Sequence, residues 1–348
     1  EAYSSGDYSR WPAPELDSLV DKNSFKDIGP LPKVAYPEAN PFSKEKELLG
    51  KLLFFDPRLS SSKQIACASC HSPELGWTDN IRRSFGHDRR TGARNAMTIL
   101  NSAFADKLFW DGRANSLEHQ SIFPIQDNLE MNNSLPEAVK NIQEIEGYKP
   151  YFKAAFGSDE VNTERIQKAL ATFERSIISP KSRFDQFVEG DSTKLNDKEV
   201  TGLHLFRTKA RCINCHNTPY FSDNGFHNDG QTLWGSKEED LGLYNITGNL
   251  EDVGKFKTPT LREVTRTGPW MHHGNFPTMR DVTQFYNLGN PAPIQDKYKG
   301  TARDSILPKT SAILKKLNLS LEELEGLEAF IASLSTTPRR MAPPKLPQ

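Results

Sequence analysis

The chain has 348 residues with 44 basic and 45 acidic side chains, a net charge of -1 and a mean hydropathy of -0.63. This charge balance gives no indication of a nucleic acid or an anionic membrane as partner, and no apolar run approaches the roughly 20 residues that a membrane-spanning helix needs. The length suggests two domains, and an aromatic content of 10% argues against disorder.

The first part of the chain divides into an arm and a helical domain. Residues 1–42 are rich in Pro and polar residues, as in WPAPELD, and show no sustained periodicity, which predicts an extended arm. From Ser43 the pattern becomes helical, and KELLGKLLFFD leads into the first cysteine motif, CASCH. Helices are also predicted at about 134–146 and 163–178, within a first domain that we place over 43–190.

A polar stretch near residue 190, EGDSTKLND, marks the predicted boundary to a second domain over 191–348. Its first helix, with a capping box of Asn196 and Glu199, leads into the second cysteine motif, CINCH. Both motifs follow a G-x-x-L-F pattern, which is a faint internal repeat. No alternating run is long enough for a substantial sheet, so we predict a mainly α fold with long loops and little β structure.

Two more helices are predicted in the second domain. The stretch TMRDVTQFYNLGN can start with a capping box of Thr278 and Asp281, and it places Tyr286 on an apolar face. The last helix covers about 320–334, and we expect it to pack back on the first domain.

All four cysteines occur in two C-x-x-C-H motifs. In this attachment sequence for c-type haem the two thiols add to vinyl groups and the adjacent His faces the iron. A redox dithiol or half of a zinc site is the alternative for one motif, but two motifs that use every cysteine favour haem. We therefore predict two tandem cytochrome c-like domains with two covalent haem c groups, held by Cys67, Cys70 and His71 and by Cys212, Cys215 and His216.

The predicted compartment follows from this chemistry. Covalent haem attachment is normally completed outside the cytoplasm, so we expect a periplasmic protein of a Gram-negative bacterium. The chain begins EAYSSGDYSR, without an initiator Met or a charged and apolar leader, which suggests a mature product whose signal peptide has been removed.

A second ligand for each iron decides what each haem can do, because an open iron can bind peroxide whereas a closed one only passes electrons. The residues alone leave this ligand undecided, since His and Met are also common at packed and exposed sites. The candidates are the five Met residues together with His87, His119, His204, His227, His272, His273 and Tyr286.

From about residue 43 to 335 the sequence resembles the bacterial di-haem cytochrome c peroxidase and MauG superfamily. The resemblance is carried by CASCHSPELGWTD, ARNAMTILNSAF, FWDGRANSLEHQSIFPIQDNLEM, CINCHNTPYFSD, FKTPTLREV and TGPWMHHGNFPTMRDVTQFY. It implies that the first haem reacts with peroxide, with Gln120, Pro124 and Glu130 above its iron and Trp110 between the haems. A carboxylate such as Glu130 can move a proton between the two peroxide oxygens, although a solvated loop carboxylate is the alternative. Gln120 can orient peroxide by hydrogen bonding.

The resemblance also implies a calcium ion between the haems, bound by the Asn95 side chain and by the carbonyls of Thr267 and Pro269. Oxygen donors with several waters suit this hard cation. His87 stands where some members keep a histidine that blocks the reactive iron, while MauG-like members leave that iron open. His87 is thus either an iron ligand or a loop residue away from the iron.

Position 286 separates the branches of the superfamily. Cytochrome c peroxidases place Met here, whereas MauG has Tyr, as in this sequence. A neutral thioether favours Fe(II) and suits a haem that accepts electrons, whereas an anionic phenolate favours Fe(III) and Fe(IV). Tyr286 therefore implies a MauG-like or MbnH-like oxidoreductase. In such an enzyme hydrogen peroxide produces a paired high-valent haem state, which oxidises a periplasmic protein partner at a Trp by long-range electron transfer.

The route of charge to that partner departs from MauG. MauG uses a Trp two residues before the second haem motif, and this sequence has Ala210 there. This difference argues against maturation of a tryptophan tryptophylquinone cofactor by that route, and oxidation of a partner Trp to kynurenine, as by MbnH, fits at least as well. Trp234 and Trp270 are alternative relays, with simple packing as the competing explanation for each.

Two other functions stay open at this point. One is a cytochrome c peroxidase that reduces hydrogen peroxide to water with electrons from a small periplasmic donor protein, which His87 would support and Tyr286 would not. The other is a di-haem electron carrier without catalysis, which has no need of Glu130.

Overall fold

The computed structural model describes residues 2–5, 7–289, 300, 302–338 and 340–348, and the elements below belong to this part of the chain. The helices are α1 (Lys44–Phe55), α2 (Leu117–Gln120), α3 (Ile122–Gln126), α4 (Leu135–Gln143), α5 (Lys149–Phe156), α6 (Thr163–Ser176), α7 (Arg183–Val188), α8 (Asp197–Arg207), α9 (Tyr244–Thr247), α10 (Met279–Leu288) and α11 (Leu321–Ala332). Two antiparallel strands, β1 (Phe226–His227) and β2 (Phe256–Lys257), join the long loops. The predicted mainly α fold is confirmed. No helix among these residues has the length and hydrophobicity that crossing a bilayer requires.

Each domain is built on one pair of crossing helices, α1 with α6 and α8 with α11. At each crossing a glycine of the repeat meets the facing backbone. A Cβ added to Gly50 would lie 1.9 Å from the carbonyl oxygen of Ala169, and one added to Gly202 would lie 1.9 Å from that of Gly326. The G-x-x-L-F repeat therefore marks the same close helix contact in both domains, because only hydrogen fits at its first position.

The structure confirms the helix starts that were predicted from capping boxes. Asn196 accepts from the backbone N–H of Glu199 at the start of α8, and the Glu199 carboxylate accepts from the Asn196 N–H in return. Thr278 and Asp281 form the same reciprocal box at the start of α10. This helix ends at Gly289, whose φ of 61° is left-handed and suits glycine.

The two domains have separate hydrophobic cores, and the change from one to the other precedes the predicted boundary at residue 190. Ile177 still belongs to the first core. Phe184 and Phe187 of α7 already lie in the second. The boundary by packing thus falls before α7, because the apolar face of this short helix covers the second core.

We expected the last helix to pack back on the first domain, but α11 packs on α8, and its Leu324 and Phe330 are buried in the second core. The reason is the close contact at the repeat glycine, which α11 completes. The tail beyond α11 is the segment that reaches the first domain. Met341 packs against the first core, and Arg58 donates to the carbonyl of Pro347 at 2.8 Å.

The N-terminal arm lies on the second domain. Apart from the short 3₁₀ turns Tyr3–Ser5 and Tyr8–Arg10 and other brief turns, it has no helix or strand over its described residues. Trp11 is buried in the second core, and the Glu15 N–H donates to the carbonyl of Arg207 at 2.9 Å. The two ends of the chain therefore each cover the domain that is remote from them in sequence.

Candidate active site

The first cysteine motif forms a short 3₁₀ turn, Cys67–Ser69, in which the His71 N–H donates to the Cys67 carbonyl at 3.0 Å. The Nδ1 atom of His71 lies 3.1 Å from the carbonyl oxygen of Trp77. Since a carbonyl can only accept, Nδ1 carries the proton, and Nε2 is left with the lone pair that iron requires. Burial lowers the pKa of His71 and so favours this neutral form.

The second motif repeats this arrangement. Its turn is Cys212–Asn214, the His216 N–H donates to the Cys212 carbonyl at 2.8 Å, and His216 Nδ1 lies 3.0 Å from the carbonyl of Phe221. Burial again lowers the pKa of the imidazole. Each motif therefore presents two thiols and one neutral Nε2, which is the donor set of a covalent haem.

The cysteine motifs do not resemble a redox dithiol. No disulfide joins the four cysteines, and burial raises the pKa of Cys70 to about 11 and that of Cys212 to about 12. The reactive cysteine of a redox dithiol instead has a depressed pKa. Among the described residues Cys215, Asp223 and His227 could hold a metal, with ligand atoms within 4.8 Å of one another. A thioether bond at Cys215 would remove its thiolate and leave Asp223 and His227 of this group, which already pair with each other at 2.7 Å.

A large cavity lies beside the second motif, with about 1750 Å³ of empty space including the part open to solvent. The motif residues Cys212, Cys215 and His216 and the side chain of Tyr286 line this one cavity. Tyr286 comes from α10, whose apolar face turns it inward. The structure thus brings together the predicted proximal and distal ligands of the second haem.

Two buried donors on the cavity wall test whether a haem fits. His272 Nε2 and Arg211 Nε have no hydrogen-bond partner among the described residues. Buried polar atoms are almost always paired, so such atoms point to a polar group of a ligand. The acidic side groups of a haem meet this need, and the apolar remainder of the wall suits its ring.

Asp229 is a residue of this cavity that the sequence did not single out. The Tyr286 hydroxyl donates to Asp229 Oδ2 at 3.5 Å, which is a long hydrogen bond. Burial raises the pKa of Asp229 to about 6, and burial together with the Asp229 charge raises that of Tyr286 well above its usual value. An iron ion bound by this oxygen would therefore have to displace the phenolic proton. In the sequence HNDGQ, this aspartate looks like a turn residue.

The residues predicted to line a peroxide pocket lie on α2, α3 and the loop after α3. Gln120 ends α2, Pro124 lies in α3, and the Pro124 carbonyl accepts from Met131, next to Glu130. Burial raises the pKa of Glu130 to about 7, with Asp127 adding to the shift. The Glu130 charge also acts on the thiols of the first motif, so its carboxyl group lies near that motif. A carboxylate in a solvated loop would instead keep a pKa near its usual value.

His87 lies in a loop that contacts the backbone of Leu129 and Glu130. The His87 N–H donates to the Glu130 carbonyl at 2.8 Å, and a Cβ added to Gly86 would lie 1.9 Å from the Leu129 carbonyl oxygen. The imidazole faces Asp88, with Nε2 to Oδ2 at 3.3 Å. The loop is therefore tied to the peroxide pocket through the backbone, and iron ligation by His87 stays a prediction.

Trp110 is fixed between the two domains. Its indole Nε1 donates to the Asn95 carbonyl at 3.0 Å, and the Asn95 N–H donates to the His272 carbonyl at 2.7 Å. Asn95, Thr267, Pro269 and Trp110 all line the second cavity. The predicted calcium ligands and Trp110 thus line the same cavity, and the calcium site itself stays a prediction.

Glu174 is a second residue that the sequence analysis missed. It lies on the buried side of α6, its Oε2 has no partner among the described residues, and burial raises its pKa to about 8. Its charge is also one of those that raise the pKa of Cys67, after burial. The available signal was an acidic residue beside Phe173 on the apolar side of a helix.

Comparison with known proteins identifies the family. The family described as di-haem cytochrome c peroxidase matches residues 44–193. The methylamine utilization protein MauG of Methylophilus methylotrophus is 36% identical over 333 residues, which cover 95% of this chain and 93% of that protein. The chain belongs to the di-haem cytochrome c peroxidase and MauG family.

Other members resemble it as closely over most of their length. The cytochrome-c peroxidase IdrP1 of Pseudomonas sp. (strain SCT) is 34% identical over 347 residues, with 91% of this chain and 88% of that protein covered. Among solved structures, a MauG-like protein associated with microbial copper homeostasis is 30% identical with a TM-score of 0.78, covering 92% of this chain and 96% of that one.

Family membership establishes the general activity. The protein is a di-haem oxidoreductase that acts on peroxide, and it is not an electron carrier without catalysis. The family carries two haems, and their covalent attachment at the two cysteine motifs stays a prediction. Because the relatives include both MauG and cytochrome c peroxidases, the choice between these functions depends on residues of this chain.

Proposed function

We propose that this protein is a MauG-like enzyme that uses hydrogen peroxide to oxidise a protein partner, at a Trp residue, by long-range electron transfer. The observation that supports this most is Tyr286, which lines the same cavity as His216. A phenolate stabilises the higher oxidation states of iron, whereas the Met of cytochrome c peroxidases favours reduction. The second haem site is therefore better suited to hold an oxidising equivalent than to receive electrons from a donor.

When bound, the two haems supply the redox chemistry, with peroxide reduction at the first and storage of oxidising equivalents over both. The protein residues hold and orient them. The four cysteines form the thioether bonds, and the carbonyls of Trp77 and Phe221 fix each proximal imidazole through Nδ1. Such hydrogen bonds make an imidazole a stronger ligand. Asn95, Thr267 and Pro269 would hold calcium and so stiffen the wall around Trp110, which lies between the two sites and would provide a path for charge.

Glu130 is the proton-transfer group of the peroxide pocket. With a pKa of about 7, a substantial fraction is ionised at neutral pH and can accept a proton from peroxide and return it to the leaving oxygen. Gln120 orients the peroxide, and the Pro124 ring covers the same side of the pocket without offering a competing donor. The enzyme acts in the periplasm, where covalent haem attachment is completed.

The decisive experiment adds stoichiometric peroxide to the fully oxidised protein and follows both haems by optical and Mössbauer spectroscopy. Our proposal expects both irons to change oxidation state without prior reduction. If no reaction occurs until one haem has been reduced, the proposal is wrong.

A cytochrome c peroxidase is the second candidate, favoured by the His87 loop. Its backbone bond to Glu130 would let movement of this loop change the peroxide pocket. This candidate expects peroxide consumption to depend on a small reduced donor protein and to begin only after one haem is reduced. A His87→Gly variant would then react without reduction, whereas our first proposal expects it to behave like the natural protein.

A further inference from the structure

The N-terminal arm carries three aromatic side chains that we call the arm aromatic cluster, Tyr3, Tyr8 and Trp11. Tyr8 stacks on Trp11 with ring centroids 4.2 Å apart, and Tyr3 meets Trp11 edge to face at 5.0 Å. The guanidinium of Arg207 lies 5.2 Å from the Trp11 ring and 5.7 Å from that of Tyr3. Packing of this kind anchors the arm, but two features of the cluster suit electron transfer.

The first feature is a proton acceptor at one phenol. The Tyr3 oxygen lies 3.2 Å from Nδ1 of His204, and the Tyr3 ring is only 6% exposed, whereas His204 is exposed. Oxidation of a phenol is far easier when its proton can leave at the same time, and an exposed imidazole can pass that proton to water. The buried Tyr8 hydroxyl has no partner among the described residues. Only one of the two phenols is therefore equipped to lose an electron and a proton together.

The second feature is continuity with the second haem site. Tyr3, Trp11 and Ala210 belong to one packed core, and Cys212 of the second haem motif packs against it. Ala210 also lines the cavity of that haem. Electron tunnelling is efficient through such contiguous packing. The arm cluster thus shares one packed core with Ala210, which stands where MauG has its relay Trp.

Arg207 lies beside both rings and donates to the Tyr3 oxygen at 3.3 Å. Its guanidinium is ion-paired with Asp27, so its charge is balanced and does not by itself select between a Trp11 and a Tyr3 radical. Tyr3 has an imidazole beside its hydroxyl, so on oxidation its proton, and the positive charge with it, can pass to the exposed His204 and from there to water. Trp11 is therefore a transient step and Tyr3 the end point.

We propose that Tyr3, with His204 as its proton acceptor, is the residue through which the peroxide-oxidised second haem site oxidises the partner. This inference rests on the proposed function. Each peroxide takes up two electrons and two protons and yields two waters. In each of two steps, Tyr3 gives one electron through Trp11 to the oxidised haem site and its O–H proton to His204. The phenoxyl radical then takes one electron from the partner and one proton, which restores Tyr3.

The test is rapid-freeze EPR of the full-length, haem-loaded protein after peroxide addition without a partner, with optical spectra of the same samples. We expect a tyrosyl radical whose spectrum narrows when the protein is made with ring-deuterated tyrosine. Tyr3→Phe keeps the ring packing and should lower this radical signal roughly tenfold or more. Tyr8→Phe is the matched control, because it removes a hydroxyl without a proton acceptor, and it should leave the signal unchanged.

His204→Gln keeps a polar group but cannot take the proton. We expect it to slow radical formation and to abolish the slowing that the natural protein shows in deuterium oxide, which loss of packing alone would not do. Equal radical yields in the natural protein and Tyr3→Phe, or no tyrosyl radical, would overturn the assignment of Tyr3. If the optical spectra show no haem oxidation at all, the failure lies with the proposed function instead.

Discussion

The hydroxyl of Tyr286 donates to the carboxylate of Asp229 at 3.5 Å, inside the cavity that also holds His216. These two residues are 57 positions apart, and no spacing rule connects them. A carboxylate beside a phenolate ligand adds negative charge where the second iron would lie. Negative charge stabilises the more oxidised metal, so Asp229 is expected to reinforce the electronic effect of Tyr286.

Replacing Asp229 by Asn should therefore raise the reduction potential of the second haem. We expect a rise of about 60 mV or more, which corresponds to about a tenfold shift of a one-electron equilibrium. Spectroelectrochemical titration measures this value, and Asp229→Glu, which keeps the charge, is the control. An unchanged potential in Asp229→Asn would show that the carboxylate does not act on the iron.

Tyr286→Met is predicted to raise the same potential and to prevent oxidation of the second haem by peroxide. The thioether is neutral and favours Fe(II), so the oxidising equivalent would have no stable place at this site. Tyr220→Phe is the matched control, since Tyr220 lines the same cavity and loses only a hydroxyl. Mössbauer spectra of both variants after peroxide addition show whether both irons are oxidised. If both irons are still oxidised in Tyr286→Met, Tyr286 is not needed for the mechanism.

The rate of the peroxide reaction should rise with pH around 7. Burial raises the pKa of Glu130 to about 7, so the carboxyl group is protonated below this value and cannot accept a proton, and it is ionised above it. Stopped-flow rates between pH 5 and 9 should follow this ionisation. Glu130→Gln should be slower by about 10²–10⁴-fold and should lose the pH dependence.

Asp127 provides a directional check on that assignment. Its charge contributes to the raised pKa of Glu130, after burial. Asp127→Asn should therefore shift the midpoint of the rate profile to lower pH while the plateau stays similar. A midpoint that does not move, or an unchanged profile in Glu130→Gln, would mean that another group controls the reaction.

The repeat glycines should be intolerant of even one methyl group. An added Cβ at Gly50 or Gly202 would lie 1.9 Å from a carbonyl oxygen of the facing helix, so the helices must separate. We expect each Ala variant to lose about 1–3 kcal/mol of unfolding free energy, as in other overpacked cores. Gly92→Ala is the control, because an added Cβ there meets nothing within 4 Å. Denaturant unfolding of the loaded protein compares the three variants.

Features formed by residues close together in the sequence could be predicted, whereas contacts between distant segments could not. The capping boxes at Asn196 and Thr278 and the two haem motifs involve residues within a few positions, so their spacing predicts them. The partnership of Asp229 with Tyr286, and the lack of a partner for Glu174 Oε2 among the described residues, appear only when distant segments meet. The packing of α11 on the second domain, and of the arm on the same domain, could not be predicted either. Composition indicates that the arm is extended but does not indicate which domain it contacts.

The docking of the arm on the second domain implies an order of folding. The Asp17 N–H donates to Asn214 Oδ1 at 2.7 Å, across 197 residues of chain, and Asn214 lies within the second haem motif. The surface on which the arm docks is formed by residues that follow it far along the chain, so the arm cannot dock until the second domain has folded around Asn214. Docking of the arm is therefore expected to follow folding of the second domain.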